Sequence, residues 1–172
     1  MSLHLVMNTH ANANATALAV QTHKVVVLSI DGLKLILPQG DIRTVESIVD
    51  MHTNDPPANG AGWINYLGQL WPVYCLSGEL SFLSYAPVSR RACVMLALSK
   101  GYLGVLCDDA QVLANFTQQS FAMPASMQLR ESPISALVNY DNGLACVSDA
   151  SHIDHFISAI NCVATSDERR EH

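Results

Sequence analysis

Apolar residues along this chain gather in short runs broken by turn formers. Val25-Val26-Val27-Leu28-Ser29-Ile30 and Leu33-Lys34-Leu35-Ile36-Leu37 flank Asp31-Gly32, a pair that favours a tight hairpin turn, and Pro38 ends the second run. The stretch from Gly62 to Leu76 reads as two strands folded about Leu67-Gly68-Gln69, with Trp63, Ile64, Tyr66, Val73 and Tyr74 supplying β-branched and aromatic residues. Pro72 has no N–H to donate, which predicts an edge or a bulge at that point. Ala92 to Leu98 and Tyr102 to Cys107 form another pair about Ser99-Lys100-Gly101. A last pair, Ile134 to Tyr140 and Leu144 to Ser148, is joined by Asp141-Asn142-Gly143. The period then changes: Ile153, Phe156, Ile157 and Ile160 are spaced for one helical face, with Ser151 as the N-cap residue.

Between these runs the pattern is weaker. Ile42, Val45 and Val49 fit a helical face, but Thr44, Val45, Ile48 and Val49 favour a turn followed by a strand over 41–49. His52 to Ala61 holds Asn54-Asp55-Pro56-Pro57 and Asn59-Gly60 and reads as a loop. Leu80 to Val88 suits a short helix or loop, and Phe116 to Glu131 a polar connection. The composition of residues 1–22 and 161–172 predicts mobile tails around a domain over 23–160. The tails offer little apolar surface to offset the entropy of ordering them. Ile64 to Val73 aligns with Val138 to Val147, with Asn, Tyr, Leu and Val recurring in register about the turn. That internal echo supports two related lobes. The whole predicts an all-β protein; the spacing by itself fits barrels or a sandwich.

The central stretch also resembles the signature of CheW-like domains, adaptor modules of bacterial chemotaxis, in the form Gly-x-Ile-Asn-x-Arg-Gly-x-x-x-Pro-Val-x-Asp-Leu. Gly62, Ile64, Asn65, Gly68, Pro72, Val73 and Leu76 keep the pattern, while Leu67 replaces its arginine and Cys75 its aspartate. Gly32 to Pro38 is similar to the family's Gly-x-x-x-x-Leu-Pro. The family's Val-x-Glu-Ile falls on Ile42-Arg43-Thr44-Val45, so Thr44 takes the glutamate's place, with Glu46 two residues on. Gly104 and Asp108 match Gly-x-x-Val-Asp-x-Val, and Asp149 holds the acid of the closing segment, where Ala136 replaces a common glycine. The resemblance implies two five-stranded SH3-like β-barrels packed together, with a C-terminal helix. It implies a bridge between chemoreceptor cytoplasmic tips and the regulatory domain of a CheA-type histidine kinase. Ile42, Thr44, Val45, Asn65, Leu67, Gly68 and Asp108 are then the candidate partner-binding residues.

Composition narrows the alternatives. A net charge of −6 and a pI near 5.5 argue against a nucleic-acid partner, which requires a basic face. No apolar run approaches the ~18 residues of a membrane span, and no charged-then-apolar leader opens the chain, so direct membrane insertion is not expected and the cytoplasm is. The cysteines at 75, 93, 107, 146 and 162 form no C-x-x-C pair and read as reduced thiols. No catalytic, cofactor or metal residues are expected. Asp149, His152 and His155 share part of a helix face but lack a fourth ligand, and no glycine-rich phosphate loop precedes a helix. Two competing readings are a degenerate CheW-like fold with an unrelated partner and a small enzyme using Cys75 with a histidine of the last helix.

Overall fold

The computed structural model describes residues 23–117, 120–123 and 131–168. The expected N-terminal tail over 1–22 lies outside them. In chain order the strands are β1 (His23–Ile30), β2 (Leu33–Pro38), β3 (Ile42–Ser47), β4 (Met51–His52), β5 (Gly62–Tyr66), β6 (Gln69–Leu76) and β7 (Phe82–Leu83). They continue with β8 (Ala92–Leu98), β9 (Gly101–Cys107), β10 (Asp109–Phe116), β11 (Ser120–Ala122), β12 (Ala136–Tyr140) and β13 (Gly143–Val147). A helix, α1 (Ala150–Glu168), follows. Single 3₁₀ turns at Gln39–Asp41 and Ile48–Asp50 flank β3.

The strands form two sheets with one plan. The first runs β10-β1-β2-β13-β12-β11; the second runs β3-β8-β9-β6-β5-β4, with β7 added on β6. Each is built from two hairpins, β1-β2 with β12-β13 and β8-β9 with β5-β6, joined by a parallel pairing of β13 on β2 or of β6 on β9. The strand after each first hairpin crosses to the other lobe: β3 pairs with β8, and β10 pairs with β1. The two lobes therefore exchange an edge strand. The internal echo falls on equivalent hairpins in identical register, since Ile64 faces Trp71 as Val138 faces Ala145. These are the two small barrels expected, with β4, β7 and β11 as additional short strands.

The burial pattern explains the unbroken apolar runs. In β1, Val26, Leu28 and Ile30 join a central core between the lobes, while Val25 and Val27 point into the first barrel. β8 divides likewise, with Val94 and Leu96 in the central core and Cys93 and Met95 inside the second barrel. A strand covered on both faces has no polar side to alternate with. Ile153 and Ile157 bring α1 onto the same central core, and Phe156 stacks on Phe82 with ring centroids 5.4 Å apart.

Several boundaries differ from the sequence reading. Asp149, not Ser151, caps the helix, its Oδ1 accepting the His152 amide at 2.8 Å. The tail expected from 161 is helical through Glu168. Asn161 is fastened there: its amide donates to the Tyr74 hydroxyl at 3.3 Å and its carbonyl accepts from Asn59 at 2.9 Å. The last hairpin turns on Asp141 and Asn142, with φ of 47° and 58°, and Gly143 already belongs to β13. β11 lies where a polar connection was expected. β6 is an interior strand, but its pairing with β9 begins only at Val73, so Pro72 stands on a half of β6 whose sole sheet neighbour is β5.

Candidate functional site

The β5-β6 turn protrudes at one end of the second lobe. Leu67 and Gly68 both take left-handed conformations, with φ of 53° and 78°, which makes a turn whose twist suits a two-residue hairpin. Glycine adopts that conformation without penalty, whereas leucine sets its Cβ against its own carbonyl. Leu67 is nevertheless 70% exposed and Leu70 55% exposed, and Asn65 and Gly68 are also exposed. Below the turn, Tyr66 and Trp71 each meet Tyr102 edge-on, at 5.1 and 5.2 Å between centroids. Trp71 Nε1 donates to the Tyr66 carbonyl at 3.2 Å, which ties the indole to the turn. This aromatic group gives the exposed leucines a rigid base.

β3 borders the same end. It is an edge strand with alternating burial, and its register slips between Ile42 and Thr44. Ile42 packs against the central core, while Val45 is half exposed. Arg43, between them, donates from Nε to the Tyr66 hydroxyl at 3.3 Å. That bond favours the charged guanidinium and raises the already high pKa of the arginine. A guanidinium thus stands beside the turn that lacks one at Leu67. Thr44 Oγ1 donates to Glu46 Oε1 at 3.0 Å, so a carboxylate lies next to Thr44. Sequence reasoning missed Arg43, Tyr66 and Tyr102 because the contacts among them cross between strands.

Asp108 belongs elsewhere. It follows β9, whose other end carries Tyr102, about 20 Å away along an extended strand. There the buried guanidinium of Arg90 gathers both lobes. Its Nη1 donates to Asp108 Oδ1 at 2.5 Å, its Nη2 to the Leu76 carbonyl at 2.7 Å, and both nitrogens to Asp31. Asp108 Oδ2 also accepts the Asp31 amide at 2.8 Å. Hydrogen bonding from Arg90 holds the Asp31 carboxyl below the ordinary range despite some desolvation. At Asp108 burial pushes upward and is outweighed by the Asp31 amide and Arg90, so this carboxyl also lies low. The geometry makes Asp108 part of a structural clamp between the lobes. Arg90 carries no sequence motif; the only available signal was the Arg90-Arg91 pair before the apolar run Ala92 to Leu98.

The other candidates resolve simply. Cys75 is fully buried beside Arg90, and burial pushes its thiol up, the reverse of what a nucleophilic thiolate needs. Burial likewise pushes Cys93 and Cys107 up to about 12. His152 Nδ1 lies 2.8 Å from Asp149 Oδ2, so that pair serves the helix start, and no group fit to hold a metal ion occurs among the described residues. No described helix is long and apolar enough to cross a membrane.

Comparison with known proteins agrees with this architecture. No curated protein matches the sequence. Among solved structures, the scaffolding protein TtCheW from Thermoanaerobacter tengcongensis is similar in fold, with a TM-score of 0.61 at 16% identity over 74% of this chain and 89% of that one. The model of the CheW-like domain matches residues 24–155, and the chain belongs to the CheW-like domain family.

Proposed function

We propose that this protein is a non-enzymatic chemosensory adaptor that couples chemoreceptor cytoplasmic tips to the regulatory domain of a CheA-type histidine kinase. Its contact surface comprises the β5-β6 turn and the adjoining edge strand β3, with Thr44, Val45, Asn65, Leu67 and Gly68 at the contact and Ile42 seating the strand beneath it. The observation that carries this reading is Leu67, an exposed leucine held at φ 53°. Asparagine or glycine would fill that turn with less strain. An apolar side chain kept there at a cost in stability is accounted for by a partner that covers it. The free backbone edge of β3 adds a recognition mode that requires no cofactor.

The apolar turn also separates this adaptor from relatives with arginine at that position. Arginine brings a permanent charge and a fork of donors; leucine brings only apolar area. Here the charge stands on Arg43 instead, bonded to Tyr66. The partner surface that fits is an apolar depression with an acidic or carbonyl rim.

Calorimetric titration of wild type and Leu67→Arg against the kinase regulatory domain, and separately against a receptor-tip fragment, tests the reading. Circular dichroism checks that the mutant is folded. The expected outcome is a folded mutant whose binding to at least one partner changes by ~1 kcal/mol or more. Absence of wild-type binding to both would sink the adaptor reading; identical binding by both proteins would remove the turn from the interface.

A further inference from the structure

The shared plan of the two lobes exposes a difference in how they are filled. In the second lobe, Ile64 has Met51 across from it on one neighbouring strand and Trp71 on the other. All three pack into the core of that barrel. At the equivalent place in the first lobe, Val138 has Ser120 on one side and Ala145 on the other. A Met-Ile-Trp row has become Ser-Val-Ala. The first lobe accordingly contains an open cavity of about 550 Å³, walled by Val25, Ile36, Phe116 and Val138, while Ser120 and Lys24 add polar groups. That volume falls within the range of ordinary small-molecule sites.

Lys24 lines this cavity at the start of β1, beside a local irregularity of β10. Adjacent residues of a regular strand point to opposite faces. The register of β1 against β10 slips between His23 and Val25, and both Lys24 and Val25 line the cavity. Lys24 is exposed, and the ion pairs among the described residues leave it out. One lysine and one serine, both exposed, therefore border a cavity whose other walls are largely apolar. This combination is complementary to a small amphipathic anion.

We infer that the first lobe binds a small carboxylate bearing an apolar chain, with the chain among Val25, Ile36, Phe116 and Val138 and the carboxylate at Lys24 and Ser120. The site is separate from the partner surface at the β5-β6 turn, which lies on the other lobe. Its chemistry requires no covalent step: the apolar chain leaves water, and the carboxylate exchanges solvent for a charge-assisted contact that keeps partial solvation.

Octanoate and its neutral counterpart octanol are the probes, titrated into the full chain and followed by the chemical shifts of labelled methyl groups of Val25, Ile36 and Val138. Saturable shifts with octanoate are expected. Ser120→Met, which restores the residue type of the filled lobe, should weaken octanoate binding by at least about tenfold. Lys24→Gln, at an exposed position, should weaken octanoate several-fold and leave octanol unchanged, which keeps the test decisive if Ser120→Met does not fold. The inference is overturned if octanoate gives no saturable shifts, or if Lys24→Gln binds octanoate as wild type does. It is also overturned if binding appears only after residues 1–22 are deleted, because the chain's own N-terminal segment would then be the occupant.

Discussion

Arg90 grips both carboxylate oxygens of Asp31, Nη1 to Oδ1 and Nη2 to Oδ2, each at 2.9 Å. Asp31 sits in the β1-β2 turn of the first lobe, and Arg90 lies just before β8 of the second. The parallel fork fixes the relative orientation of the two groups as well as their distance. Asp31 Oδ2 also accepts the Gly78 amide at 3.2 Å, so the turn is joined to the loop after β6 as well. One fully buried guanidinium thus holds together segments separated by most of the second lobe.

Replacing Arg90 with alanine strands two carboxylates and the Leu76 carbonyl. The expected loss is ~2–4 kcal/mol, somewhat below that for a wholly buried pair because both aspartates keep contact with solvent. Asp31→Asn should cost less, since Asn-Gly also suits the turn. Urea unfolding of both single mutants and the double mutant measures their coupling. Strictly additive effects would mean that the fork contributes nothing of its own.

The same clamp sets an acid limit. The folded pKa values of Asp31 and Asp108 both lie below their unfolded values. Their stabilisation is therefore complete above the unfolded carboxyl value of ~3.9 and is lost as pH falls through the folded values. Denaturant midpoints should hold steady from about pH 7 to pH 5 with respect to these two groups and decline below about pH 4. The decline should be shallower in Arg90→Ala. An equal acid slope in mutant and wild type would assign the effect to other carboxyls.

Leu67→Asn places the residue preferred in this turn at a position now held by leucine at φ 53°. Stability should rise by ~0.5–1 kcal/mol while partner binding weakens, a separation expected where strain is retained for contact. Thermal melting gives the first quantity and calorimetry the second. A lower melting temperature would show that Leu67 contributes packing the exposure does not reveal.

Two glycines give opposite expectations. Gly32 has φ 87°, so Gly32→Val forces a β-branched residue into the left-handed region and should cost roughly 1–3 kcal/mol. Gly143 lies in β13 outside the left-handed region, and a Cβ built on it comes no nearer than 3.7 Å to the Tyr140 carbonyl. Gly143→Val should therefore stay within about 0.5 kcal/mol of wild type. Equal losses at both positions would contradict the observed turn.

The local elements were legible wherever neighbouring residues decide them. Asp31-Gly32 announced its hairpin because a left-handed pair is a property of those two residues. Ile153, Phe156 and Ile157 announced the inner face of α1 through their spacing. The echo between Ile64–Val73 and Val138–Val147 pointed to two related lobes, and the equivalent registers of β5-β6 and β12-β13 have that relationship. Leu67 stood out as a departure at a position of interest. Its exposure and conformation did not, because they depend on which strands surround the turn.

What tertiary structure alone decided involves partners distant along the chain. The continuous apolar runs of β1 and β8 concealed which residues face the central core and which a barrel, since both faces are buried. The exchange of β3 and β10 between lobes leaves no local mark, because a strand's partners are chosen by the sheet it joins. Arg90 meets Asp31 across 59 positions and Asp108 across 18, and no periodicity connects them. Short-range patterning specifies the strands, turns and helix; the clamp and the cavity arise only when side chains from separate segments are brought together and their charges and volumes must balance in one place.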